Sequence, residues 1–168
     1  MASDQHIHDV ACQTVWFAPT PFLTRPVEVS VEVTAGQHDP RGRENDPVLV
    51  VRRTKKLRDR VKGAPVVDGD ASTTALGDWF ATALFWRPQV ALLVNSRTLF
   101  PVFMELAQAA TLLDRGPAAI EAVLRCHGVD DAFLVVERDA MSEVRIAPTN
   151  DRSVVGVMNE FAFHGECL

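Results

Sequence analysis

Two apolar stretches separated by three residues constrain the fold of this chain more than any other feature. The stretches cover residues 79–86 and 90–94, and residues 87–89 lie between them. Short runs dense in aromatic and β-branched residues are typical of strands, and a three-residue connection joins two strands into a hairpin. A helix is the competing interpretation of the first stretch. We prefer the strand because aromatic residues are dense in it and Pro88 stands two residues past its end.

Three shorter segments are predicted to belong to the same sheet. Residues 48–51 form a β-branched run that suits a buried strand, and residues 144–146 form a short strand. Residues 99–104 can extend the sheet, but Pro101 confines that strand to an edge or a bulge because proline has no N–H to donate.

Four segments are predicted to be helical. They cover residues 54–62, with Thr54 as the cap, residues 116–128, residues 130–138, and a last helix capped by Asn150 or Asp151. Gly116-Pro117 opens the second helix, since proline suits the first helical position, and Gly128 ends it. The last helix buries a stripe of apolar residues, namely Val154, Val155, Met158, Phe161 and Ala162. The predicted fold is α+β, with a small, mainly antiparallel sheet and helices packed on one face.

Residues 1–47 are predicted to be a poorly specified N-terminal arm, and residues 48–168 a single α+β domain. Residues 36–47 are rich in turn formers and almost free of apolar residues, as in a linker. Within the arm, residues 27–33 alternate valine with polar residues at the period of a half-buried strand. Two interpretations stay open: this strand adds to an edge of the sheet, or the arm reflects a start assigned too early.

Composition narrows the class of protein. The chain is 47% hydrophobic and 23% charged, which suits a globular protein with a packed core. No apolar run approaches the roughly 20 residues needed to cross a bilayer. Three cysteines, odd in number and far apart, argue against a disulfide framework and for a reducing compartment. We therefore expect a soluble, cytoplasmic protein without membrane partners, and we predict no metal and no cofactor.

Four stretches of the chain are similar to a known family. They are residues 53–57 (Arg-Thr-Lys-Lys-Leu), 76–81, 93–99 and 150–163. In this order and spacing they resemble an uncharacterised bacterial family, domain of unknown function 6933, over roughly residues 48–163. The resemblance implies a domain that begins near residue 48 and leaves the arm uncovered. It implies no activity.

A basic block is the most unusual chemical feature. Residues 48–62 carry seven Lys or Arg and one acid, whereas the rest of the chain is acidic. Clustered cations neutralise phosphates and release counterions, which gives affinity for nucleic acid. The candidate contacts are Arg52, Arg53, Lys55, Lys56 and Arg58. We favour the alternative of a solvated helix face, because nucleic acid calls for a longer basic patch with stacking aromatic residues.

A second candidate site combines Asp78, Asn95, Arg152 and Asn159. An acid, two amides and an arginine can bind a carboxylate or phosphate, with Asp78 as the catalytic acid–base group and the other three as ligands of the anion. Structural roles such as caps and turns explain the same residues, and we favour them.

Three functions stay open. The preferred one is a small soluble binding or protein-interaction module, which can be a homo-oligomer and uses exposed aromatic residues among Trp79, Phe80, Phe85 and Trp86. The others are a nucleic-acid-binding accessory protein and an enzyme acting on a small anionic substrate. Binding is preferred to catalysis because the sequence lacks the common nucleotide, hydrolase and zinc motifs.

Overall fold

A five-stranded sheet organises the computed structural model, which describes residues 47–62 and 71–165. The strands are β1 (Val48–Arg53), β2 (Trp79–Leu84), β3 (Val90–Asn95), β4 (Pro101–Glu105) and β5 (Glu143–Pro148). The helices are α1 (Lys55–Arg58), α2 (Leu112–Cys126), α3 (Asp131–Ala140) and α4 (Arg152–Gly165), with a 3-10 turn at Ala109–Thr111. The strand predicted at residues 27–33 lies outside the described residues.

The sheet is mixed, with strand order β4-β3-β2-β1-β5. Strand β3 is antiparallel to β2 and β4, whereas β1 is parallel to both of its neighbours, β2 and β5. The prediction of a mainly antiparallel sheet is therefore wrong. Parallel pairs need long crossover connections, which the chain has before β2 and before β5, and strand periodicity does not encode the direction of a partner.

Alternate residues of the central strands enter two separate core clusters. Trp79 and Leu93 pack with residues of α2 and α3, whereas Phe80 and Leu92 pack with residues of α4. The prediction that the helices pack on one face is not confirmed. Every residue of β2 and β3 is buried, which explains why these strands are continuous apolar runs rather than alternating ones.

The predicted hairpin is confirmed, because β2 and β3 pair antiparallel with Leu84 opposite Val90. Strand β4 lies at the edge of the sheet, as predicted, and it begins at Pro101, two residues later than predicted. The apolar stripe of the last helix is also confirmed, since its five predicted members pack in the cluster that contains Phe80.

Helix α2 begins four residues before Gly116, so Pro117 lies inside the helix and does not open it. The buried stripe of α2, which includes Leu112 and Ile120, offsets the hydrogen bond that proline cannot make. Gly128, with a φ of 76°, ends the helix as predicted, since glycine accepts the left-handed conformation without strain. Helix α1 ends at Arg58, earlier than predicted, and turns follow it.

The Asp151 carboxylate caps α4. Its Oδ1 accepts hydrogen bonds from the backbone N–H groups of Ser153 at 2.7 Å and Val154 at 3.4 Å. We expect Asp151→Ala to lower the free energy of unfolding by about 1 kcal/mol, as removal of a helix cap usually does. Urea denaturation measures this loss, with Asn150→Ala as the control. Equal losses in the two variants would contradict the assignment of the cap to Asp151.

Candidate functional site

Adjacent parallel strands bring two segments of the resemblance, residues 53–57 and 150–163, to one end of the sheet. Arg53 at the end of β1 pairs with Pro148 at the end of β5. Leu57 of α1 packs in the cluster of α2 and α3, whereas α4 covers the opposite face. Helices that leave adjacent parallel strands toward opposite faces open a crevice at the carboxyl ends of those strands. We name this end of β1, β2 and β5 the carboxyl edge.

Thr54 fastens the start of α1 to β2. Its N–H donates to the carbonyl oxygen of Ala81 at 2.9 Å, and its hydroxyl donates to Oγ1 of Thr82 at 2.8 Å. Thr54 occupies the predicted N-cap position of α1, but its side chain makes no cap hydrogen bond to the helix. The hydroxyl instead satisfies the buried hydroxyl of Thr82, which would be costly to leave without a partner.

Two of the five candidate nucleic-acid contacts have structural partners inside the domain. Nη1 of Arg53 donates to the carbonyl oxygen of Val61 and, at 3.3 Å, to that of Arg58, which holds α1 and the turn after it against the sheet. Nε of Arg52 lies 2.6 Å from Oδ2 of Asp78. These two guanidinium groups therefore hold neighbouring segments of the domain together.

The other cations of the block face solvent. We name as the basic surface the exposed residues Lys55, Lys56, Arg58, Arg60 and Lys62. One acid, Asp59, lies among them, and its Oδ1 is 3.5 Å from Nε of Arg58. Five cations and one acid give residues 54–62 a local charge of +4.

An exposed aromatic ring adjoins the basic surface. Phe85 directly follows β2 and is 56% exposed, and the guanidinium carbon of Arg60 lies 5.2 Å from its ring centroid. Nη1 of Arg60 also donates to Oε1 of Gln89. Trp79 and Phe80 are buried core residues, which corrects their prediction as exposed contacts. Strand β2 is covered on both faces, so its aromatic side chains cannot reach solvent.

The residues of the second candidate site have separate surroundings. Asp78 precedes β2, where its carboxylate binds Arg52 and accepts the Ser72 N–H at 2.8 Å. Arg152 and Asn159 lie on the exposed side of α4. The structure thus pairs Asp78 with Arg52 and leaves two of the predicted ligands on a solvent-facing helix surface.

Asn95 organises the turn after β3. It is fully buried, and its Nδ2 donates to the carbonyl oxygen of Leu76 at 2.9 Å. Its Oδ1 accepts the N–H groups of Arg97 at 3.0 Å and Thr98 at 2.9 Å. These bonds join the turn to the loop before β2, which is the amino end of that strand and not the carboxyl edge.

A buried glutamate that the sequence reading missed binds the same loop. Glu137 of α3 is 1% exposed and accepts the N–H groups of Ala75 at 2.8 Å and Leu76 at 3.1 Å. Burial raises the pKa of this carboxyl above its usual value, against the opposing effect of those two hydrogen bonds. The spacing of residues could have predicted its burial. Glu137 follows Leu134 by three residues and precedes Met141 by four, so it lies on the inward stripe of the helix.

Comparison with known proteins identifies the domain. The sequence model of a family described as a domain of unknown function, DUF6933, matches residues 50–168. The chain belongs to the DUF6933 family. The DUF6933 match includes the basic surface, Phe85 and every element from β2 to α4. No curated protein and no solved structure matches the chain.

Two further observations concern the described parts of this DUF6933 chain. None of the helices there is long and apolar enough to span a membrane. No group of three or more His, Cys, Asp or Glu side chains within residues 47–62 and 71–165 is arranged to hold a metal ion.

Proposed function

We propose that this DUF6933 protein binds nucleic acid through the basic surface at its carboxyl edge. The observation that carries the proposal is the exposure of five cations around α1 beside an exposed aromatic ring. Phosphates are bound by clustered cations, and exposed rings stack on bases, so the two features together suit a nucleic acid. The odd, widely spaced cysteines favour a reducing compartment, and we place this role in the cytoplasm.

The scaffold holds the cations outward. Leu57 and Val61 are buried in the core, and Arg53 binds the carbonyl oxygens of Arg58 and Val61 from beneath. With these anchors, α1 cannot turn its charged side inward. A ligand therefore meets a surface whose backbone is already ordered, which reduces the entropy lost on binding.

The attraction of a phosphate to this surface depends on the local charge, although the net charge of the whole chain is −5. Exposed charges separated by more than about 8 Å are largely screened at physiological ionic strength. Within residues 54–62 five cations outweigh the single acid Asp59, and Asp114 of α2 lines a pocket with Lys62 at one end of the basic surface. Binding should be weak and sensitive to salt, with a dissociation constant on the order of 10⁻⁶ to 10⁻⁴ M.

We expect Lys55→Glu with Lys56→Glu to weaken binding of a fluorescein-labelled single-stranded oligonucleotide by roughly tenfold or more, because two phosphate contacts become repulsive. The slope of log K against log salt should also flatten by about 1.4, or about 0.7 for each lost contact. Fluorescence anisotropy over a salt series measures both quantities.

The control is Arg125→Glu with Arg138→Glu, which changes the net charge equally on α2 and α3 and also removes the ion pairs of both arginines with Glu121. It should retain the wild-type affinity, and thermal melting should show that both variants are folded. Absence of binding at low salt, or an equal loss in the control, would overturn the proposal.

A further inference from the structure

We infer that the basic surface prefers single strands to duplexes, and that one base of the strand stacks on Phe85. The inference rests on the proposed function and names the form of nucleic acid that the site accepts.

The position of Phe85 is the first observation that supports stacking of a base. It follows Leu84, the last residue of β2, at the carboxyl edge where α1 also begins. Leu84 is buried, and Trp86 is half-buried and stacked on Phe103 at a centroid distance of 6.0 Å. Phe85 is 56% exposed between two residues that pack inward. An exposed ring loses the benefit of apolar burial, which a stacked base would restore.

The position of the Arg60 guanidinium group is the second observation. It lies over the Phe85 ring at 5.2 Å from the centroid, and its hydrogen bond to Gln89 fixes it there. Arg60 also belongs to the basic surface, so one cation joins the ring to the phosphate-binding residues. A nucleotide whose base covers the exposed part of the ring therefore has its phosphate beside positive charge.

The form of the nucleic acid follows from the chemistry of stacking. Bases in a duplex are stacked on one another and present only their edges and the backbone phosphates. Bases in a single strand can splay out and place a face against an aromatic ring. The cations can bind the phosphates of either form, whereas the Phe85 ring can stack only on a base of a single strand.

The test compares a labelled single-stranded oligonucleotide with its own duplex by fluorescence anisotropy. We expect Phe85→Ala and Phe85→Leu to weaken single-strand binding by about fivefold to a hundredfold, the usual effect of removing one stacking ring. Duplex binding should be unchanged. Phe85→Trp should retain the single-strand preference, because tryptophan keeps an aromatic face. The control is Phe163→Ala, which removes another exposed ring, 67% exposed against 56% for Phe85, from α4.

The outcomes separate the inference from the proposed function. Wild-type protein that binds both forms equally, and loses both through the Lys55 and Lys56 reversal, would overturn the inference and leave nucleic-acid binding standing. Equal losses on both forms in Phe85→Ala, or the same loss in Phe163→Ala, would overturn the inference as well. Wild-type protein that binds neither form would overturn both. Thermal melting of each variant confirms that the comparison is made on folded protein.

Discussion

Asp78→Ala is expected to lower the free energy of unfolding by roughly 3 kcal/mol. Breaking a buried ion pair by removing one partner costs about 3–5 kcal/mol, and we take the low end because 13% and 15% of the Arg52 and Asp78 side chains stay exposed. The variant also removes the acceptor of the Ser72 N–H. Urea denaturation at neutral pH measures the loss.

Two further variants test whether the loss of stability comes from the ion pair between Arg52 and Asp78. Asp78→Asn keeps an oxygen for the Ser72 N–H and removes the charge, so it isolates the ionic part. Arg52→Met combined with Asp78→Ala should cost less than the sum of the two single changes, because each single change already removes the Arg52–Asp78 interaction. Strictly additive losses of stability in the double variant, or an unchanged urea midpoint for Asp78→Ala, would contradict a stabilising role of this ion pair.

Glu137→Ala is expected to cost about 2–3 kcal/mol at neutral pH. The change leaves the N–H groups of Ala75 and Leu76 without their acceptor, and each lost hydrogen bond to a charged group is worth about 1.5–3 kcal/mol. Release of a carboxylate from a buried position offsets part of that loss. Denaturation of the variant beside wild type measures the difference.

The pH dependence gives a second readout for Glu137. Because burial raises its pKa in the folded state above the unfolded value, the fold favours the protonated carboxyl. The stability of wild type relative to Glu137→Gln should therefore be greatest below the ordinary carboxyl pKa of 4.5 and should fall as pH rises through the raised pKa. A difference that stays constant or grows with pH would contradict the raised pKa.

Features set by neighbouring residues could be predicted from the sequence, and features set by distant partners could not. The hairpin, the edge position of Pro101 and the end of α2 at Gly128 follow from a few adjacent residues. The parallel pairing of β1 with β5 joins residues almost a whole domain apart. Neither strand carries a local signal for its partner, and the face taken by α4 depends on the same long-range order.

The candidate site also combines features that neighbouring residues set with features that distant partners set. Counting residues locates the basic block, but only the structure turns Arg52 and Arg53 inward and leaves Lys55 and Lys56 outside. The aromatic run likewise marks an apolar strand, yet the exposure of Phe85 depends on where β2 ends. A one-residue difference in that end would exchange a core side chain for an exposed one.

Pairing of the first described strand with the last one has a consequence for biosynthesis. On the ribosome, β1 emerges early, while β5 follows only after α3 has been translated. Throughout that interval, one flank of an apolar strand has unused amide and carbonyl groups, and such a flank is a template for joining another nascent chain. Closure over a large sequence separation is also slow. The order of the strands therefore leaves this flank of β1 open to misassembly until β5 has been translated and has paired with it.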